Sequence, residues 1–314
     1  MHPASGSLAR ERSPSLPGTI GLLLATLIVA GILAFATIAL FPAWPSIVQM
    51  ALPTEIALFG AVAYSVSRTR LPWRQALGLR PIERVTLAPL LLIIIGAVTV
   101  FSELYLIIQR IIPVPAEFEE MLRDLMQISG TVDLVATITI AVILAPTLEE
   151  ALFRGVLLQG LTRRRGPGAA AVWTAIFFAL YHVYNPWQIV PTFFLGLVLA
   201  WVVLTTRTLL SGILVHGAFN ALSLALFAAP VTEREPSAEA VPWVVAAIFG
   251  ILLVGSVAFL IGMAWIESVT GGGRFAESGD RSDSGDPPES ERADSAPRYT
   301  DEEAPPAGPF RARG

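Results

Sequence analysis

No cysteine occurs in the 314 residues, which excludes disulfides, thiolate metal sites and a cysteine nucleophile. That absence does not report the redox compartment. Charge is scarce too: 15% of residues are charged against 54% hydrophobic, and the mean hydropathy is +0.65. Such a chain is an integral membrane protein. HExxH, GxSxG and Walker sequences are absent, and Gly271-Gly-Gly273 has no phosphate-loop context. There is no nucleic-acid patch, and the net charge of −4 owes much to acids after Thr270. Histidine occurs three times, and two of the three, His182 and His216, lie inside apolar stretches.

What the chain has in quantity is apolar runs of about 20 residues, enough to cross a hydrocarbon layer of ~30 Å as helices. These runs are continuous and do not alternate, which argues against a β-barrel. The expected fold is all-α, a polytopic membrane bundle of about eight helices at 19–42, 47–66, 86–108, 132–162, 169–184, 188–206, 209–228 and 242–266. The fourth run is longer than a bilayer requires and must tilt, kink or protrude. The first follows Arg10 and Arg12 as a signal peptide would, but it is too long for one and lacks a clear cleavage site, so it reads as a retained anchor.

Residues 1–18 read as a disordered arm, 19–268 as the membrane domain and 269–314 as a disordered tail of Gly, Ser, Pro and charged residues. Arginines gather in alternate connections: Arg10 and Arg12; Arg68 to Arg84; Arg163, Arg164 and Arg165; Arg207. The other connections are neutral or acidic, so both termini are expected on the cytoplasmic side of the cell membrane. Residues 116–127 place Phe118, Met121, Leu122, Leu125 and Met126 on one helical face, which suggests a short helix at the outer interface or an extramembrane connector.

Ionisable groups at membrane depth cost roughly 2.5–3.5 kcal/mol each even on a lenient insertion scale, so they need a reason. Glu150 and Arg154 stand four apart on one helical face and can form an ion pair. Glu149, rotated by about 100°, is left without a local cation and is a candidate base. Phe178 and His182 are also four apart. Counted from the turn at 163–168, Glu149 and His182 both lie about 14 residues into their helices, near 21 Å, so the carboxylate and the imidazole can meet across the hairpin. His216 and Asn220 repeat the spacing and can donate hydrogen bonds from one face, as an oxyanion requires. By residue count His216 lies one or two turns nearer the cytoplasm than His182. Glu55 and Glu103 read as residues partnered within the bundle or near an interface.

Glu149-Glu150-x-x-x-Arg154, Phe178-x-x-x-His182 and His216-x-x-x-Asn220, in that order on three spans, resemble the CPBP family of intramembrane proteases, which includes the type II CAAX prenyl endopeptidases and bacterial proteins of bacteriocin processing and self-immunity. The resemblance runs from about 140 to 230. It implies a glutamic-type endopeptidase in which Glu149 and His182 activate a water, His216 and Asn220 stabilise the oxyanion, and Glu150 and Arg154 orient the site. The implied partners are the lipid bilayer and a membrane-associated peptide, CAAX-like or a leader; oligomeric state is not read from the sequence. The expected cofactor is none, with zinc on Glu149, His182 and His216 as the alternative. A non-proteolytic scaffold and a proton-coupled transporter stay open as other classes, although the paired repeats with broken helices expected of a transporter are not found.

Overall fold

The computed structural model describes residues 15–125, 128–228 and 241–271, all within one unit, Met1–Gly272. The arm up to residue 14 and the tail beyond 271, both expected to be disordered, lie outside the described residues, as do Met126 and Gln127 of the amphipathic segment. Ten helices are described and no strand: α1 (Leu16–Leu40), α2 (Ser46–Thr69), α3 (Trp73–Ala76), α4 (Arg84–Ile111), α5 (Ala116–Leu125), α6 (Thr131–Arg165), α7 (Pro167–Tyr181), α8 (Ile189–Thr206), α9 (Leu209–Ala228) and α10 (Val241–Thr270). Seven are long and apolar enough to cross a membrane. The protein is therefore an all-α, multi-pass membrane bundle.

The helix starts follow local chemistry. Ser15 caps α1 by accepting from the Gly18 N–H at 3.2 Å, and proline occupies the first turns of α1 and α7, where its missing N–H costs nothing. The fifth apolar run departs from the span expected over 169–184: α7 stops at Tyr181 after 15 residues, about 22 Å, and His182 forms its C-terminal cap. The Asn185-Pro186 step that follows disfavours continued helix, and about 22 Å is shorter than a hydrocarbon layer of ~30 Å.

The fourth run, expected over 132–162 and longer than a bilayer requires, forms α6, which at 35 residues is longer still and is not uniform. Ile138–Leu144 and Ala151–Leu158 are π-helical, bracketing an α-helical turn at Ala145–Glu150. The Ala145 N–H reaches Ile140 O, one residue further back than in an α-helix. Pro146 supplies no N–H at all. The carbonyls of Ala141 and Val142 thereby lose their ordinary helical donors and become available to a neighbouring helix.

Three arginine-bearing connections meet at one end of the bundle. Arg80 exchanges hydrogen bonds with the Thr208 hydroxyl (N–H to Oγ1 3.2 Å; Oγ1–H to Arg80 O 2.6 Å), and the Leu209 N–H donates to Gly78 O at 3.1 Å. Gln159, one turn before the Arg163–Arg165 run, lies against Gly78. At other connections the Trp187 indole donates to Ile112 O at 2.7 Å and Phe118 of α5 packs on the Trp187 ring at 4.9 Å. The amphipathic helix thus covers the α7–α8 connection.

Three apolar clusters hold the helices, the smallest joining Leu158 and Leu161 of α6, Ala170 of α7, and Ala200 and Val203 of α8. Of the larger two, one joins Leu58 and Val62 of α2, Leu152 and Phe153 of α6, and Phe178 and Tyr181 of α7. The other joins Leu90 and Ile93 of α4, Leu199 of α8, Val215 of α9 and Ile266 of α10.

Candidate active site

Burial of Arg154 governs the local design. Its side chain is fully buried, and its Nη1 donates to Glu150 Oε1 at 2.7 Å, with Glu150 equally inaccessible. Its Nη2 donates to Gly196 O of α8 at 2.9 Å, and the guanidinium lies over the Phe178 ring at 4.4 Å. A charge this deep persists only when its counter-ion and hydrogen bonds are in place. The four-residue spacing in the sequence anticipated the ion pair, whereas the Gly196 and Phe178 contacts come from other helices.

Glu150 Oε1 has a second partner, His216 Nδ1 of α9, at 3.1 Å. An ionised carboxylate only accepts, so this bond places the imidazole proton on Nδ1 and, in the neutral ring, leaves Nε2 with its lone pair. That Nε2 faces Glu149 Oε2 at 3.8 Å. The separation is too long for a direct hydrogen bond and short enough for both atoms to hold one oxygen between them. His216 is therefore level with the glutamates and not one or two turns away, as counting residues implied.

His182 is half-buried beyond the end of α7, and its Nδ1 bonds Phe178 O, a carbonyl left over at the helix C-terminus, at 2.8 Å. A carbonyl cannot donate, so this ring too carries its proton on Nδ1 and presents a free Nε2. Glu149 and His182, expected to face each other, form no ion pair among the described residues. Phe178 lies against both imidazoles, edge-on to His182 at 4.8 Å and to His216 at 5.6 Å.

Asn220 Nδ2 donates to Ala141 O at 2.9 Å, one of the carbonyls that the π-helical stretch and Pro146 set free. One amide hydrogen is thereby committed to holding α9 on α6. Close approach of these helices depends on two glycines. A Cβ at Gly217 would stand 2.9 Å from Val142 O, and one at Gly212 would stand 2.8 Å from Glu150 Oε2 and 2.7 Å from Val203 Cγ2. Sequence reasoning missed both glycines and the Glu150–His216 bond; the signal was Pro146 beside the Glu pair and glycine one residue after His216.

Glu55, expected to be partnered within the bundle or near an interface, is 4% exposed on α2, and its Oε2 has no hydrogen-bond partner among the described residues. Glu103 lies half-buried on α4. Among the described residues no three His, Asp or Glu side chains are grouped as a metal site would group them, while His216 and His182 each engage Nδ1 and keep Nε2 available.

Fold and site together define a multi-pass helical membrane protein with an acid–imidazole–acid–guanidinium cluster buried where α6, α7, α8 and α9 meet. Residues 131–222 match the family model described as Type II CAAX prenyl endopeptidase Rce1-like, which bears out over that segment the resemblance carried by the three motifs. No curated protein and no solved structure matches the chain.

Proposed function

We propose that the protein is an intramembrane endopeptidase of glutamic type that hydrolyses a peptide bond of a membrane-associated peptide with an activated water. The observation that carries this reading is the approach of Glu149 Oε2 to His216 Nε2, with the other nitrogen of that imidazole held by the buried Glu150–Arg154 pair. The Rce1-like match over the same segment supports the reaction class.

In this reading a water lies between Glu149 and an imidazole. Glu149 takes its proton as the oxygen attacks the scissile carbonyl, and a tetrahedral oxyanion forms. The C–N bond then breaks, and the proton passes from Glu149 to the departing amine. The family resemblance assigns His182 to the water and His216 with Asn220 to the oxyanion. The geometry supports His216 as a further holder of the water and leaves Asn220 its second amide hydrogen for the oxyanion. Glu150 and Arg154 are positioning residues: they fix the tautomer and plane of His216. No step runs through a metal. The arginine-rich end of the bundle is assigned to the cytoplasm by the charge rule, which puts both termini there.

The test uses the full chain in lipid nanodiscs with two fluorescence-quenched peptides, one apolar and unmodified, one ending in an S-prenylated CAAX sequence. The wild type should cleave at least one, and Glu149→Gln should abolish turnover while remaining folded. Turnover surviving in Glu149→Gln would overturn the assignment. Loss on exhaustive chelation, restored by zinc, would replace the glutamic mechanism with a metal-dependent one.

A further inference from the structure

Two buried polar groups near Glu149 have no task in the hydrolysis described above. The Glu55 Oε2 atom and the Tyr181 hydroxyl are both shut away from solvent, and neither has a hydrogen-bond partner among the described residues. The helix of Glu55, α2, packs against the Ala145–Glu150 turn that carries Glu149, and the helix of Tyr181, α7, packs against Ala151–Leu158 directly after it. Packing explains why they converge. Leu58, three residues after Glu55 and so on the same side of α2, joins Leu152, three residues after Glu149, in one apolar cluster with Tyr181. Phe153 meets the Tyr181 ring edge-on at 5.7 Å.

An orphaned buried polar atom is expensive, and most have a local escape. The Thr19, Ser211 and Ser223 hydroxyls, also without partners, can turn onto carbonyls of their own helices. The carboxyl at the end of the Glu55 side chain and the Tyr181 hydroxyl are not placed to do this, since each stands well away from its own backbone. The helices holding Glu55 and Tyr181 have therefore left one acceptor and one donor unpaired beside the candidate base. A peptide unit offers the complement, an N–H donor and a C=O acceptor on adjacent atoms.

We propose that Glu55 and Tyr181 form a docking pair for one peptide unit of the substrate, Glu55 accepting its N–H and the Tyr181 hydroxyl donating to its carbonyl. This deepens the endopeptidase reading and rests on it. The substrate class recognised here is an extended main chain, independent of side-chain sequence, held beside Glu149. A helical substrate has its N–H groups already bonded internally, so the pair selects a segment that has unwound.

The experiment compares the wild type with Tyr181→Phe, Glu55→Met and Glu55→Gln, each as the full chain in nanodiscs. Cleavage of the two quenched peptides gives kcat/KM, and thermal unfolding gives Tm. Tyr181→Phe and Glu55→Met should each lower kcat/KM about tenfold, equivalent to about 1.4 kcal/mol, with Tm unchanged or raised because an unpaired group has been removed. Glu55→Gln keeps an acceptor oxygen and should stay within about twofold. A fall in Tm matched by the loss of activity would mean a structural role and overturn the proposal. A second arm replaces successive peptide bonds of the substrate by esters, which lack the N–H. One replacement should cost the wild type about tenfold and cost Glu55→Met nothing; equal losses in both proteins would overturn the pairing. Binding of a dansylated copy of each peptide to Glu149→Gln, with and without Tyr181→Phe, separates the two readings. Weaker binding with Tyr181→Phe supports the docking pair even if Glu149→Gln were to cleave and the hydrolytic assignment fell. Equal binding overturns the pair while leaving that assignment intact.

Discussion

Glu150 uses one oxygen, Oε1, to hold both Arg154 Nη1 at 2.7 Å and His216 Nδ1 at 3.1 Å, and so joins the charge compensation of α6 to the orientation of an imidazole on α9. Charge compensation and imidazole orientation therefore meet in one carboxylate. Glu150→Ala would leave the Arg154 guanidinium buried and uncompensated, which costs about 3–5 kcal/mol. The expected outcome is a large fall in the unfolding midpoint in detergent together with loss of turnover.

Replacing Arg154 by lysine keeps the charge and loses the fork. The guanidinium reaches Glu150, Gly196 O and the Phe178 face at once, and an ammonium cannot reproduce that planar set. Arg154→Lys is expected to be destabilised by about 1–3 kcal/mol, judged by the loss of hydrogen bonds to a charged group, and to cleave more slowly than the wild type. Unfolding and single-turnover cleavage, measured on the same preparation, check both parts.

Gly212→Ala tests how closely α9 must approach. The new methyl would lie 2.8 Å from Glu150 Oε2 and 2.7 Å from Val203 Cγ2, so the carboxylate or the helix has to move. Overpacking of this kind costs roughly 1–3 kcal/mol. Turnover should fall further than stability alone explains, because the displaced atom belongs to the group that orients His216. Cleavage at a temperature where the variant remains fully folded measures the difference.

Pro146→Ala should separate stability from function in the opposite direction. It restores an N–H to α6 and removes a residue that costs about 3 kcal/mol inside a helix, so the unfolding midpoint should hold or rise. The restored donor competes for the carbonyls on which α9 now rests, including the one that accepts from Asn220. Turnover is expected to fall about tenfold, with a matching loss in Asn220→Ala and little further loss in the double variant, a non-additivity read from a double-mutant cycle.

Much of the fold was legible because a bilayer imposes a simple rule: runs of apolar residues long enough to cross it must be helices. The ion pair of Glu150 and Arg154 was legible for a similar reason, since both residues lie on one helix and four-residue spacing fixes their meeting. His182 escaped in part. Residue counting carried α7 three residues past its true end, and the histidine expected inside a helix instead caps it through Phe178 O. The level of His216 escaped altogether, because depth counted along one helix says nothing of how far a neighbour tilts or slides.

The sequence by itself determined that this chain lives in a membrane as helices, and which few polar residues had to be compensated there; both follow from hydrogen-bond satisfaction and desolvation, which act residue by residue. Only the tertiary structure decided that His216 is the imidazole beside Glu149 and that Asn220 grips a carbonyl released by the π-helical stretch around Pro146. Those contacts depend on the register between α6 and α9. That register is set by two glycines and a distorted helix acting together, a relation between elements that no spacing within either one encodes.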